Sequence, residues 1–371
     1  MAQAPADSLR ILVVDDSAMV RQVMQAILTT DSRVRVNAAA DPLIAWGKMQ
    51  KDPPDVVITD LEMPRMDGLT FIRKIMAEQP TPVVVCSGLA EGGTELALRA
   101  LEEGAVEVIT KPKVGVREFL HESAVILIDA VWSASQARHK SKHAPVPPPP
   151  RLTADAVLPH RPRRRSGARI DSLIAIGAST GGTEALRVLL KEMPSDCPPI
   201  VIVQHMPEAF TRAFANRLNG ECVIPVKEAE DGDPLQPGHA FVAPGNLHML
   251  VDRVGRGLVI HLMDGPLVAR HRPSVDVLFR SVAISAGPKA VGIIMTGMGD
   301  DGAQGMLEMK QAGAINIAQD ESSCVVFGMP REAIALGAVD LVLPLEKIAA
   351  KVLLRPAAFG GNRQASATCG S

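Results

Sequence analysis

The sequence is poor in aromatic residues and contains no tyrosine. Aromatic side chains make up 3% of its 371 residues, too few for the stacking platforms that bind single-stranded nucleic acid. The five cysteines are odd in number and form no CxxC pair, which favours reduced thiols over disulfides or zinc. No run approaches the ~20 apolar residues of a membrane span, and the N-terminal residues resemble no export signal. These absences predict a cytoplasmic protein that inserts into no membrane and binds no nucleic acid.

Charge is distributed unevenly, although the formal net charge is only -2. Residues 1–137 carry 13 basic and 19 acidic side chains, residues 138–169 carry 9 and 1, and residues 170–371 carry 17 and 21. The basic middle stretch also holds 7 prolines. Because such a segment cannot bury an apolar face and its prolines favour extended polyproline II, we predict a semi-stiff linker. The run Arg163 to Arg165 could attract a polyanion, but a solvated tether is the simpler interpretation.

Both flanks of this stretch alternate short apolar runs with helical patterns, which is typical of a parallel sheet covered by helices. The apolar runs span residues 10–14, 34–38, 55–59, 83–86 and 106–109, then 172–176, 199–203, 239–243 and 291–295. We therefore predict an α/β protein with two doubly wound parallel-sheet domains, the first flavodoxin-like and the second a Rossmann-like, three-layer domain. The predicted boundaries are 8–130 for the first domain, 131–169 for the linker, 170–355 for the second domain and 356–371 for a flexible tail.

Polar residues stand where four predicted strands of the first domain end: Asp15 and Asp16, Asp60, Ser87 and Lys111. Ligands of a doubly wound sheet bind at the carboxyl ends of its strands, so these side chains are expected to converge. Three carboxylates suit Mg²⁺, and a cation there would leave one carboxylate able to attack a phosphoryl donor. Helix capping is the alternative for one aspartate, but it leaves the other strand ends unexplained.

Four segments of the first domain resemble the receiver domains of two-component response regulators: LVVDDSAMVR, TDLEMPRMDGL, VVVCS and ITKP. The resemblance implies that Asp60 is the phosphoacceptor. It also implies an Mg²⁺ site and two residues that sense the phosphate. The metal ligands would be Asp15, Asp16, Asp60 and the backbone carbonyl of Glu62, and the sensing residues would be Ser87 and Lys111. Val108 departs from the aromatic residue common at its position, which puts the usual aromatic switch in doubt.

The second domain has a G-x-S-x-G sequence, Gly177 to Gly181, between a predicted strand and a helix. Its glycines match neither a P-loop nor a dinucleotide-binding fingerprint. A serine on such a turn, Ser179, can act as a nucleophile with backbone N–H groups facing a developing oxyanion. Taken alone the motif is weak, because Gly and Ser at a strand-to-helix turn often only cap the helix.

A nucleophilic serine needs an imidazole to take its proton and an acid to orient that imidazole. Of five histidines in the second domain, His205 follows a strand and lies at the same sheet edge as Ser179. Three others, His239, His248 and His261, are interpreted as core or surface residues, and His271 lies in the basic stretch ARHRP. Asp300 and Asp301 follow a third strand, and spacing cannot choose between them. The order Ser, His, Asp disfavours an α/β-hydrolase, which runs Ser, Asp, His.

Seven segments of this domain resemble the chemotaxis protein-glutamate methylesterase/glutaminase family. They are GASTGG, VQHMPEAFTRAFANRL, EAEDGDPLQPG, VAPGNLHM, HRPSVDVLF, MTGMGDDGAQGM and AQDESSCVVFGMP. The resemblance implies that Ser179 is the nucleophile, His205 the base and Asp301 the orienting acid, with Thr180 and Met298 in the oxyanion region. No cofactor is implied for this hydrolysis.

The implied reaction is demethylation of γ-glutamyl methyl esters on the cytoplasmic helices of chemoreceptors, with deamidation of glutamines by the same chemistry. A chemotaxis histidine kinase is the implied phosphodonor. We expect the unphosphorylated receiver to lie over the esterase cleft and phosphorylation of Asp60 to weaken that packing. The alternatives are a DNA-binding response regulator, which the acidic second half disfavours, and an esterase-like domain that only binds a partner.

Overall fold

The computed structural model describes residues 8–88, 91–111, 117–138 and 173–353. Within these ranges the chain folds into two α/β units, each with its own parallel sheet. The predicted pair of doubly wound parallel sheets is therefore confirmed. A search of the same ranges finds no helix that combines the length and the apolar character needed to cross a membrane.

The first unit is a five-stranded parallel sheet in the order β2-β1-β3-β4-β5. Its strands are β1 (Leu9–Val14), β2 (Val34–Ala39), β3 (Val56–Thr59), β4 (Val83–Ser87) and β5 (Glu107–Thr110). Its helices are α1 (Ala18–Leu28), α2 (Pro42–Lys51), α3 (Gly68–Glu78), α4 (Glu91–Glu102) and α5 (Arg117–Arg138). The central strands are buried on both faces, which explains why they read as continuous apolar runs rather than alternating ones.

Helix α5 extends beyond the predicted domain boundary at residue 130. Val131 and Ala134 are fully buried in the cluster that packs α1 and α5 against the first sheet. Residues 131–138 thus belong to a packed helix, although their local sequence was assigned to the linker. The rest of the predicted linker, 139–169, and the predicted tail, 356–371, lie outside the described residues, so the remaining boundaries stay predictions.

The second unit is a seven-stranded parallel sheet in the order β14-β13-β12-β6-β7-β9-β8. Its strands are β6 (Leu173–Ala178), β7 (Ile200–Gln204), β8 (Val226–Glu228), β9 (Ala240–Val242), β12 (Ala290–Ile294), β13 (Ile315–Gln319) and β14 (Leu341–Leu343). Its helices are α6 (Gly182–Lys191), α7 (Glu208–Glu221), α8 (Val275–Ser285), α9 (Ala303–Gln311), α10 (Met329–Ala335) and α11 (Leu345–Leu353). Two apolar clusters, one on each face, make this a three-layer unit.

A two-stranded antiparallel sheet, β10 (His248–Val254) and β11 (Gly257–Met263), stands apart from the main sheet. No hairpin was predicted at these residues from the sequence. Its inner residues Met249, Val251 and Ile260 are buried against α8 in the same apolar cluster as the main sheet. The hairpin therefore extends the wall beside the carboxyl edge of the seven-stranded sheet.

The two units are packed against each other through helices α4 and α7. Leu98 of α4 is buried in the apolar cluster of the second unit, and Phe210 of α7 is buried in that of the first. The guanidinium of Arg217 pairs with Glu102 and donates to the carbonyl of Leu98 at 3.4 Å. This exchange of apolar side chains places β5 and α5 over the carboxyl edge of the second sheet.

Candidate active site

Ser179 and His205 lie side by side at the ends of two neighbouring strands. In the parallel pairing of β6 with β7, Ala178 stands opposite Gln204, so the next residue of each strand is Ser179 and His205. The His205 amide donates to the Ala178 carbonyl at 3.0 Å, which continues the ladder past the strand end. Sheet register alone therefore brings the predicted nucleophile and base to one place.

The turn that carries Ser179 is held close to the end of β12. The Ser179 amide donates to the Thr296 carbonyl at 3.0 Å. Gly297 has to lack a side chain, because a Cβ there would lie 2.7 Å from Ser179 Cβ. Gly181 adopts a left-handed φ of 77°, which lets α6 start immediately after the serine. The glycines of GASTGG thus serve the sharp strand-to-helix turn that the motif predicted.

The structure distinguishes between the two aspartates that spacing left open. Asp301 is 1% exposed, and its Oδ2 lies 2.7 Å from His205 Nε2, whereas Asp300 is exposed at the rim of the cavity. The Asp301 carboxylate also accepts hydrogen bonds from the N-terminus of α8, from Ser274 Oγ at 2.8 Å and from the amides of Val275 at 2.8 Å and Asp276 at 2.9 Å. A helix N-terminus favours negative charge, so this carboxylate is held in its ionised form.

The pKa of Asp301 reflects two opposing effects. Burial alone would raise it, but the hydrogen bond from His205 and the favourable electrostatic interaction with the rings of His205 and His271 outweigh burial and lower the pKa below its ordinary value. An ionised Asp301 requires a proton on His205 Nε2, which fixes the tautomer. Nδ1 is then the nitrogen that carries the lone pair.

His205 Nδ1 is buried and has no hydrogen-bond partner among the described residues. Ser179, 7% exposed, and His205 both line one cavity of about 990 Å³. Because Ser179 occupies the neighbouring strand end, the unused lone pair of Nδ1 is the group available to accept the proton of its hydroxyl. Catalytic hydrogen bonds of this kind are often long before substrate binds.

His271 is a site residue that sequence reasoning missed. Its ring is stacked on that of His205, with centroids 3.6 Å apart and planes 5° from parallel. Its Nδ1 bonds the Ala269 carbonyl at 2.9 Å, and both Ala269 and Arg270 have positive φ, 48° and 72°. The sequence feature noted at this position was only the basic stretch ARHRP.

The remaining histidines of the second unit fit the interpretation given to them. His248 is fully buried, and its ring nitrogens are engaged by the Pro266 carbonyl and the Ser274 amide. His239 bonds the Pro237 carbonyl, and His261 bonds Asp231 on the surface. None of these three lines the cavity that holds Ser179.

The two residues predicted for the oxyanion region border the same cavity. Thr180 is 3% exposed, and Met298 lies at the cavity wall. Thr180 is in contact with the first unit, since its hydroxyl donates to Glu107 Oε2 at 2.9 Å and lies 2.5 Å from Ser133 Oγ. Strand β5 and helix α5 of the first unit therefore close one side of the cavity.

The acidic pocket of the first unit forms as predicted at the carboxyl ends of β1, β3 and β5. One oxygen of each of Asp15, Asp16 and Asp60 lies within 4.8 Å of the others, close enough to bind one cation. Lys111 Nζ lies 2.7 Å from Asp60 Oδ2 and 2.9 Å from Asp15 Oδ2. The Lys111 amide also donates to the Ser87 carbonyl at 3.0 Å, which ties β5 to β4.

Burial and ion pairing act in opposite directions in this pocket. Burial raises the pKa of Asp15, and Lys111 only partly offsets it. Burial alone would lower the pKa of Lys111, but its bonds to Asp60 and Asp15 raise the pKa overall. A divalent cation would offset the unfavourable burial of negative charge that raises the pKa of Asp15, so the three carboxylates fit a divalent metal. Glu62, whose carbonyl was predicted as a further ligand, is exposed in the loop after Asp60.

His205, His271 and Asp301 form a second cluster in which one ligand atom of each lies within 4.8 Å of the others. The two imidazole rings are parallel within 5°, so their in-plane lone pairs run side by side rather than towards a common point. This geometry favours a stacked pair over a chelating pair.

Each of the two units matches the model of a known protein family. The family model described as CheB methylesterase matches residues 174–352, and the one described as response regulator receiver domain matches residues 11–122. The chain is 56% identical to protein-glutamate methylesterase/protein-glutamine glutaminase 3 of Geobacter metallireducens over 93% of its own length and 98% of that protein. It is 57% identical to protein-glutamate methylesterase/protein-glutamine glutaminase 5 of Anaeromyxobacter dehalogenans, over 93% of its own length and 96% of that protein. The crystal structure of the Thermotoga maritima CheB methylesterase catalytic domain matches with 38% identity and a TM-score of 0.49, covering 50% of this chain and 98% of that one.

Proposed function

Because the chain belongs to the family of protein-glutamate methylesterases/protein-glutamine glutaminases, we propose that Ser179, His205 and Asp301 carry out its hydrolysis. The chain is a receiver-regulated hydrolase of chemotaxis adaptation that demethylates γ-glutamyl methyl esters and deamidates glutamines. The observation that best supports the triad is the 2.7 Å bond from Asp301 to His205 Nε2, which leaves Nδ1 as the base beside Ser179.

The proposed reaction has two steps. Ser179 Oγ attacks the ester carbonyl carbon while His205 Nδ1 takes the hydroxyl proton, and the resulting oxyanion is held near Thr180 and Met298. When the C–O bond to the methoxy group breaks, His205 returns its proton and methanol leaves. Water, deprotonated by His205, then attacks the acyl-enzyme and releases a glutamate side chain. On a glutamine the same sequence releases ammonia.

Asp301 is the proposed positioning residue of the triad. Its bond to Nε2 keeps His205 in the tautomer that presents Nδ1 to the serine, and its charge stabilises the imidazolium that forms during each step. The α8 N-terminus fixes the carboxylate from the other side.

In the receiver unit, we propose Asp60 as the phosphoacceptor. Asp15, Asp16 and Asp60, with the Glu62 carbonyl, would hold Mg²⁺, which when bound neutralises charge on the incoming phosphoryl group. Lys111 already pairs with Asp60 and would contact the phosphoryl oxygens, together with the Ser87 hydroxyl. The proposed phosphodonor is a chemotaxis histidine kinase.

The proposed regulation depends on strand β5, whose two ends are in contact with the phosphorylation site and with the catalytic cavity. Lys111, just beyond one end of β5, pairs with Asp60, and Glu107, at the other end, bonds Thr180 beside the nucleophile. A phosphoryl group on Asp60 would change the partner of Lys111 and thereby the position of β5. The closed arrangement is thus the state expected before phosphorylation, and the methylated cytoplasmic helices of chemoreceptors would enter once the receiver moves away.

Methanol release from a methylated receptor tests the proposal. Ser179→Ala is expected to lose turnover by about 10⁴-fold or more, because triad residues act as a unit. Exposed Ser322, which bonds Asp320 and does not line the cavity, gives the control variant Ser322→Ala. Trapping of Ser179 by a fluorophosphonate would reject the alternative of a binding-only domain. Comparable methanol release by Ser179→Ala would remove the serine from the mechanism.

A further inference from the structure

One face of helix α5 borders the catalytic cavity. Ile126, Asp129, Ala130 and Ser133 line it, and their spacing of three, four and seven residues places them on one side of the helix. The Ser133 hydroxyl reaches the hydroxyl of Thr180. A helix of the receiver thus lies in the cleft at which, under the proposed function, the helices of a receptor are processed.

The contact between α5 and the cleft includes an ion pair. Arg270 Nη1 lies 3.0 Å from Asp129 Oδ1, and both side chains are about three-quarters shielded from solvent, with exposures of 25% and 30%. Shielding of this degree makes a charge-assisted hydrogen bond stronger than an exposed surface pair. Arg270 therefore offers a carboxylate-binding site in the wall of the catalytic cavity.

The backbone holds Arg270 at this place at a conformational cost. Ala269 and Arg270 both have a left-handed φ, which non-glycine residues rarely adopt, and the next residue, His271, is stacked on the base His205. Strained backbone of this kind persists where the surrounding structure requires a particular side-chain position. The strained loop therefore holds Arg270 directly beside His271, the residue that stacks on the base His205.

A second acidic side chain of the receiver reaches the reaction centre itself. Glu107 bonds the hydroxyl of Thr180, the residue that follows Ser179. Its side chain is of the same type that hydrolysis leaves on the substrate. The receiver accordingly presents one carboxyl group near the nucleophile and another to Arg270.

We propose that α5 and β5 act as an internal stand-in for the substrate, and that Arg270, paired here with Asp129, binds an acidic side chain of the receptor helix next to the modified glutamate. This inference rests on the proposed function. It makes Arg270 a specificity residue that selects acidic helical substrates, and it makes the Asp129 pair the contact that the substrate replaces.

Two readouts on the full-length chain, treated with a phosphodonor, test the inference. The KM for methanol release from a methylated receptor is expected to rise roughly ten-fold or more in Arg270→Gln, since a charge-assisted contact is lost. The rate at which a small fluorophosphonate labels Ser179 should stay unchanged, because that probe carries no carboxylate. Arg270→Lys should recover part of the KM, and exposed Arg256 on the β10–β11 turn gives the control Arg256→Gln.

An unchanged KM in Arg270→Gln would overturn the inference, and so would a parallel fall in labelling, which would mean that Arg270 only supports the loop. In the untreated chain, Asp129→Asn should raise the labelling rate several-fold, and no change there would overturn the stand-in role of α5. Absence of methanol release from the wild type, with labelling intact, would instead contradict the proposed function. The two failures are therefore distinguishable.

Discussion

The ring of His271 lies flat on the ring of His205, at a centroid distance of 3.6 Å and with the planes 5° from parallel. His205 is restrained on its edge by Asp301 and on its face by His271. Edge and face contacts together fix both the tautomer and the direction of the ring, so Nδ1 is held in position before substrate arrives.

Replacing His271 should therefore lower turnover without abolishing it. A stacked aromatic pair contributes about 0.5–1.5 kcal/mol, so His271→Ala is expected to reduce kcat by about two- to ten-fold. His271→Phe keeps a stacking partner and should retain most of the rate. Methanol release under saturating substrate measures both variants. A fall in His271→Phe as large as in His271→Ala would show that a ring nitrogen, not the stack, is what matters.

The two neighbouring aspartates should behave very differently. Asp301→Asn removes the charge that fixes the His205 tautomer, and a loss of kcat of about 10³- to 10⁴-fold is expected. Asp300→Asn, which alters an exposed side chain one residue away, should change kcat by less than about three-fold. Thermal unfolding of both variants separates loss of chemistry from loss of fold. The opposite ranking in kcat would exchange their roles.

Glu107 should make the closed arrangement sensitive to pH. Burial, only partly offset by the hydrogen bond from Thr180, raises the pKa of Glu107 to about 7 from an ordinary value of 4.5. A raised pKa means that the closed arrangement favours the protonated form of Glu107. The stabilisation of the closed arrangement by Glu107 is therefore complete below about pH 4.5 and is lost as the pH rises through about 7.

The measurement compares wild type with Glu107→Gln, which stays neutral. The ratio of their fluorophosphonate labelling rates, wild type over variant, is expected to rise between pH 5 and about pH 8 in the absence of a phosphodonor. Effects of pH on the labelling reaction itself are common to both proteins and cancel in the ratio. A ratio independent of pH would mean that the carboxyl group does not ionise within the contact.

Phosphorylation should act through Asp60. Asp60→Asn is expected to abolish the rise in labelling rate that a small phosphodonor produces, because an amide cannot accept the phosphoryl group. Asp52→Asn, at an exposed residue after α2, is the matched control. Equal stimulation of Asp60→Asn and wild type would place the phosphorylation elsewhere.

Many of the strands and the reactive motifs can be inferred from the sequence alone. Apolar runs located the five strands of the first sheet and β6, β7, β9 and β12 of the second. The rule that ligands bind at the carboxyl ends of parallel strands brought Ser179 and His205 to one edge and Asp15, Asp60 and Lys111 to another. These inferences needed only local periodicity and the direction of the strands. They did not need the position of any helix relative to another.

Contacts between segments far apart in the chain could be found only in the folded structure. Spacing could not choose Asp301 over Asp300 and the family resemblance only implied it, whereas the N-terminus of α8 around the Asp301 carboxylate gives the physical reason. His271 and Glu107 became site residues through a strained loop and a contact between units, neither of which leaves a periodic signal. Hydrophobic patterning specifies which face of an element is buried, but not which polar side chains the crossovers bring within a few ångströms of each other. That arrangement is fixed by the packing of whole elements, and it is the arrangement on which the chemistry and its regulation depend.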